Sequence, residues 1–206
     1  MGEEETKEEK QSFIAEARRE QIMDAAIRTL DEIGYANASL AQIAKRAGIS
    51  TGLISYHFAD KNDLMNYLLM KQVEKSEQYI LERVARESTA WGKLAAFVEA
   101  SLAYQGTYPA RSTALLEIIF HARTPENIPY YKLSDDDEEH LLKELHRILR
   151  EGQEGGEFGE FHVEVMASMI QGAIGEYMTA SPVTRKLELE LYTSELLKLI
   201  RLTLRK

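Results

Sequence analysis

Thr51, Gly52, Ser55, Tyr56 and His57 crowd into ten residues, ISTGLISYHF at positions 49–58, and are an odd choice for a segment that only packs. Glycine and serine are mediocre helix formers, and a Tyr-His pair is awkward to bury. Hydroxyls, a phenol and an imidazole at helical spacing are instead groups that bond phosphates and base edges, and a glycine lets a backbone come close. Ile49, Ile54 and Phe58 supply the inward contacts of the same segment. Ser50 has the type and place of an N-cap.

The elements that would position these groups are helical. Ile22, Ala26, Leu30 and Ile33, with Met23 and Ile27 beside them, share one face of a helix that Gly34 is suited to end. Ser39 followed by Gln42 is a capping box, and Leu40, Ile43, Ala44 and Ala47 give the short helix behind it an apolar face. Gly48 stops that helix. Asp60 with Asp63 starts another, which runs through Leu64, Leu68, Val73, Ile80 and Val84. Two short helices joined at a glycine turn and clamped between longer ones form a helix-turn-helix unit.

The stretch IMDAAIRTLDEIGYANASLAQIAKRAGISTGLISYHFADKNDL resembles the N-terminal DNA-binding domain of the TetR family of bacterial repressors. The match runs from AA…L…GY through IAKRAGIS to YHFxxKxxL. The resemblance implies that Thr51, Gly52, Leu53 and Ser55 face bases or their sugars, and that Ser39, Tyr56, His57 and Lys61 hold phosphates of double-stranded DNA. The sequence departs from the family at Ser55, where tyrosine is usual, and at Ala41, which supplies no long-range donor. Readout would then rest on few direct contacts, leaving specificity to DNA shape and to thymine methyls. His57 has a plainer alternative, a hydrogen bond to a carbonyl of its own domain.

A net charge of −9 looks wrong for a nucleic-acid binder until it is resolved along the chain. Residues 1–11 hold five acids against two lysines, residues 12–61 hold six acids against six bases, and the rest of the excess lies beyond. The first folded segment is the least acidic. Hydrophobic residues at 44% and charged ones at 29%, with only 4 prolines, fit a globular chain. The absence of cysteine excludes disulfides and thiol catalysis, and fits a cytoplasmic location. The longest uncharged helical stretch, Val165 to Gly175, is far below the roughly 20 residues of a membrane span. MGEEET fits an N-myristoylation pattern, but five glutamates among residues 3–9 would be repelled by an anionic membrane surface.

The remainder is again helical: 91–108, 112–123, 134–150 behind a Ser134 cap, 163–180 and 184–204, with breaks at Pro125, Pro129 and Pro182. The glycine-rich EGQEGGEFGEF, 151–161, has neither phosphate-loop spacing nor a preceding strand, and reads as a helix connection. Met166, Ile170, Ile174 and Tyr177 make an apolar stripe, and Ser168, Gly172, Gly175 and Thr179 a stripe of small residues. With Leu189, Tyr192, Leu196, Leu199 and Ile200 they read as half of a four-helix bundle waiting for a partner. The family resemblance implies a homodimer through these last two helices, reading a palindromic operator.

The expected fold is therefore all-α, with about nine helices: a disordered acidic tail at 1–12, a DNA-binding domain at 13–77 with its helix-turn-helix at about 39–58, and a ligand-binding and dimerisation domain at 78–206. Polar groups interrupting apolar faces make Tyr104, Glu117, His121 and Gln171 the candidates for a small-molecule effector pocket. The expected function is a repressor released by that effector, with an activator or a ligand-independent DNA organiser as the alternative; no cofactor is expected. A helical di-iron enzyme is the rival, but it needs Glu-x-x-His on each of two helices. Asp137 to His140 is one degenerate case, and Glu117 to His121 has the wrong spacing.

Overall fold

The computed structural model describes residues 2–132, 140–179 and 186–205, the side chains of 2–12 and 178 excepted. Nine α-helices carry the described residues: α1 (Gly2–Asn37), α2 (Leu40–Ala47), α3 (Thr51–His57), α4 (Lys61–Val84), α5 (Ala90–Thr107), α6 (Pro109–His121), α7 (His140–Glu154), α8 (Val163–Met178) and α9 (Leu189–Thr203). No strand occurs among them; one isolated bridge joins Arg123 to Pro129.

Backbone contacts divide the chain into two units. One takes the residues up to Lys71 together with those from Thr113 to 132, the other Gln72–Ser112 and the described residues from 140 on. The boundary expected after residue 77 thus falls earlier, inside α4, and most of α6, from Thr113 on, joins the first unit. Periodicity could not reveal this, because an amphipathic pattern runs unbroken along both helices.

In the first unit Ile22, Met23, Ala26 and Leu30 of α1 meet Ile43 of α2, Ile54 of α3 and Leu64, Met65 and Leu68 of α4, all at most 1% exposed. Burying each large side chain contributes about 1.5–3 kcal/mol, so this core holds the short α2 and α3, which could not stand alone. Residues 2–12, expected as a disordered tail, are helical backbone continuous with α1. Glutamate, lysine and glutamine are good helix formers, and acids in a first turn complement the helix dipole.

The second unit packs α5 against α7, α8 and α9, with Leu94, Phe97, Leu102, Leu145, Ile148, Leu149, Ala167, Ile170 and Ile200 at its centre. Helix α6 starts at Pro109, earlier than expected, in the first-turn position that proline favours. Helix α9 starts at Leu189 rather than 184, behind an extended Glu188. The expected Ser134 cap, the Asp137 half of the metal motif and Pro182 lie outside the described residues. The glycine-rich stretch is partly helix: α7 continues to Glu154, and Gly156 turns the chain at φ +69°.

Candidate nucleic-acid interface

Helix α3 is defined at both ends by its own sequence. The Ser50 hydroxyl accepts the Leu53 N–H at 3.2 Å, and the Phe58 N–H closes on the Ile54 carbonyl at 3.0 Å. Only Ile54 is fully buried within it, and Phe58, just past it, is 3% exposed. With those two turned inward, Thr51, Gly52, Ser55 and Tyr56 are exposed, Tyr56 at 80%, and Leu53 and His57 are half-buried. Three exposed side chains and the exposed backbone of Gly52 therefore share one open face.

Helix α2 is held as the sequence indicates. The Ser39 hydroxyl accepts the Gln42 N–H at 3.3 Å and donates to the Gln42 side-chain oxygen at 2.7 Å. Gly48 ends α2 in the left-handed region at φ +68°, where nothing would obstruct a side chain; the backbone conformation alone selects glycine. Arg46 grips Glu32 of α1 through its two terminal guanidinium nitrogens, and the Gln21 amide donates to the Ala47 carbonyl at 2.6 Å. These contacts fix α2, and through its turn α3, on α1.

His57 packs edge-on to Tyr56, ring centroids 5.1 Å apart, and has no hydrogen bond to a carbonyl among the described residues. Burial, and then the charges of Arg19 and Arg18, hold its imidazole below the ordinary histidine range. Arg18 and Arg19 were not singled out from the sequence. Their nearness to His57 makes them part of the basic surface at the end of α3, and only the packing of α1 reveals it.

Lys61 is placed differently from expectation. Its ammonium donates to the Tyr35 carbonyl and lies 4.0 Å from the centroid of the Tyr35 ring. Burial holds its pKa below the usual lysine value. This lysine fastens a turn rather than standing free for phosphate. Lys61→Met is expected to lower the melting temperature while leaving the salt dependence of DNA binding nearly unchanged. A drop of about one unit in that slope would restore Lys61 as a phosphate contact.

The same turn corrects two ligand candidates. At Gly34 the backbone leaves the helix with φ +72°, and the next N–H, of Tyr35, donates to Glu117 Oε2 at 2.7 Å. Glu117 also pairs with His121 Nδ1 at 3.4 Å, and His121 stacks on Tyr35 at 6.4 Å. The Tyr35 hydroxyl bonds Asn62 at 3.0 Å. Glu117 and His121 thus serve the end of α1, in the first unit. The sequence showed them only as polar breaks in an apolar face, which a capping role produces as readily as a pocket.

Cavities of about 320, 280 and 370 Å3 lie in the second unit. None of these three is lined by Tyr104, Glu117, His121 or Gln171. Gln171 is half-buried on α8. Tyr104 lies between Tyr79 and Tyr108 in a tyrosine cluster of the second unit. Among the described residues no group of three or more acids and histidines is arranged to hold a metal ion, and no helix is long and apolar enough to cross a membrane.

Comparison with known proteins agrees with this geometry. Residues 22–68, the span of α1 through α4 that builds the interface, match the family model for bacterial regulatory proteins of the tetR family. Over 147 residues, 68% of this chain and 74% of the relative, the sequence is 31% identical to the HTH-type transcriptional regulator BetI of Escherichia coli O17:K52:H18. The transcriptional regulator FadR from Bacillus subtilis, solved in complex with stearoyl-CoA, superposes with a TM-score of 0.73 over 89% of this chain and 97% of its own, at 25% identity. A tetR-family regulatory protein from Rhodococcus RHA1, at 18% identity, shares the fold with a TM-score of 0.76 over 91% of this chain and 97% of its own. The chain belongs to the tetR family of bacterial regulatory proteins, and is a DNA-binding transcriptional regulator.

Proposed function

We propose that the protein is a homodimeric repressor that occupies a palindromic operator and leaves it when a small organic molecule binds the second unit, with no catalytic step of its own. The observation that carries the DNA half is the open face of α3, whose exposed hydroxyls and phenol stand over a buried Ile54. Thr51, Gly52, Leu53 and Ser55 would meet base edges and sugars, and Ser39, Tyr56 and His57 phosphates, joined by Arg18 and Arg19. The absence of cysteine and the family's regulators support a cytoplasmic setting.

Dimerisation is supported by an apolar surface on α8 and α9. Met166, Ile170 and Ile174, the apolar stripe read with the small-residue stripe and the last helix as half of a bundle, are buried in the chain's own core at 5% exposure or less. The outward surface keeps Leu199 and the small-residue stripe of that reading and adds others. Val165 and Met169 of α8 and Leu191, Leu199 and Leu202 of α9 are 46–65% exposed. A Cβ built on Gly172 or Gly175 would meet nothing within 4 Å, so these glycines leave room rather than accommodate a neighbour within the chain. Reading a palindromic operator requires a dimer whose two recognition helices stand about 34–36 Å apart, one helical turn of DNA. An effector that prefers another spacing releases the operator by its differential affinity for the two states.

Genomic footprinting tests the reading directly, since a repressor should occupy one or a few palindromes overlapping promoters. Scattered occupancy without promoter overlap would favour a DNA organiser instead. On a footprinted site Tyr56→Phe is expected to weaken all sequences alike, by about three- to tenfold, and Thr51→Ala to shift base preference. Equal effects of both on preference would remove the division of roles. His57 gives a pH signature. Its imidazole is held below the usual range in the free protein, whereas a phosphate favours the imidazolium, so binding takes up a proton and affinity should rise as pH falls from about 7.5 towards 6. His57→Gln should flatten that slope, and an unchanged slope would take His57 off the phosphate.

A further inference from the structure

Three tyrosines of the second unit form a continuous cluster that is electrostatically incomplete. Tyr79 of α4 meets Tyr104 of α5 at 5.4 Å between ring centroids, and Tyr104 meets Tyr108 at 5.4 Å. The Arg83 guanidinium lies 3.3 Å from the Tyr79 ring and donates to the Tyr79 carbonyl at 2.8 Å. Arg111 lies 4.2 Å from the Tyr108 ring. Inside this cluster the Tyr104 hydroxyl and, next to it in sequence, the Gln105 side-chain oxygen are buried without a hydrogen-bond partner. Gln72 Oε1, two turns before Tyr79 on α4, is buried and unpartnered as well, on a residue only 6% exposed. Buried polar groups are normally paired, because an orphan retains its whole desolvation cost.

Arg111 identifies what is missing. It is half-buried, and no carboxylate pairs with it among the described residues, in a chain where acids outnumber lysine and arginine 34 to 25. Burial pushes the Tyr104 phenol up, while the charge of Arg111 and a hydrogen-bonding interaction with it pull the phenol down, so the guanidinium stands at the hydroxyl although no hydrogen bond of normal geometry joins them. A cavity of about 320 Å3, lined by Arg83, Arg86, Glu87, Glu99 and three alanines of α5, lies beside Arg83. It opens to solvent, has the volume of a small-molecule site, and stops short of Tyr104 and Arg111, which do not line it. A cationic ligand would meet two guanidiniums already resting on the tyrosine faces. An uncharged one would satisfy the phenol and leave Arg111 without a counter-charge.

We infer that the effector is an organic anion, its carboxylate or equivalent acidic group bridging the Tyr104 hydroxyl and the Arg111 guanidinium, its apolar body against the tyrosine cluster. The inference rests on the reading of the second unit as the effector domain, and names the chemistry that unit recognises. Tyr104 donates one hydrogen bond and Arg111 one or two charge-assisted ones.

The test uses the full-length protein with octanoate and benzoate as anionic probes, and 1-octanol, benzyl alcohol and octylamine as matched controls. Binding is read by titration calorimetry and operator release by fluorescence anisotropy. At least one anion should bind ten or more times tighter than its alcohol and release the operator. Tyr104→Phe should leave the ligand-free melting temperature unchanged or raised, since a buried orphan is removed, while weakening the anion about tenfold or more. Arg111→Gln should abolish the preference for anion over alcohol. Alcohol or amine binding as well as the anion, neither anion binding at all, or a Tyr104→Phe variant less stable without ligand, would overturn the assignment. Anion binding that depends on Arg111 but leaves the operator occupied would keep the site and remove its role as the effector site.

Discussion

Replacing Gly152 by alanine is expected to cost about 3 kcal/mol of stability, the midpoint between overpacking a tight core and losing a buried aromatic ring. A methyl group at this position of α7 would sit 2.1 Å from Cδ2 and 2.2 Å from Cε2 of Phe158, whose ring is 5% exposed. Phe158 is not at liberty to leave. Its own N–H and that of Glu157 both bond the Gly152 carbonyl at 2.9 Å, so the ring is folded back over the glycine by the turn that follows. Thermal and denaturant unfolding should show the loss, and the double variant Gly152→Ala/Phe158→Ala should be little less stable than Phe158→Ala alone, because removing the ring removes the clash. Full additivity of the two would mean that the clash is absent.

The second large effect concerns assembly. Leu199→Glu should convert the protein to a monomer and weaken operator binding on the order of a hundredfold or more, because two linked half-site contacts become two independent ones. Leu199 is 62% exposed in the single chain, so the substitution removes no core packing and the monomer should keep its helicity. Sedimentation velocity and operator titration separate the outcomes. A dimer that survives both Leu199→Glu and Val165→Glu would move the interface elsewhere.

How far the sequence carried can be seen element by element. Caps and glycine stops were legible because their chemistry is local: Ser39, Ser50 and Gly48 act on neighbours within four residues. So was the open face of α3, since period 3.6 separates Ile54 from Ser55 and Tyr56. Longer-range roles were not. Lys61 and Glu117 look from the sequence like a free cation and a pocket acid, yet both are committed to Tyr35, 26 and 82 residues away. The two stripes of α8 were legible as stripes, but which of them faces the core depends on how α5, α7 and α9 surround the helix. Gly152 shows the same limit: a glycine-rich connection was read correctly as no phosphate loop, while the close approach of Phe158 had no local signature.

The division of labour within α3 bears on how such a regulator changes over time. Its fold draws on Ile54, with Phe58 just beyond, and four of its seven positions, Thr51, Gly52, Ser55 and Tyr56, make no buried contact. Substitutions there are nearly neutral for stability, as surface changes generally are. Descendants of this chain can therefore drift to new operators through a succession of folded intermediates, exchanging target sites without a compensating change in the core beneath.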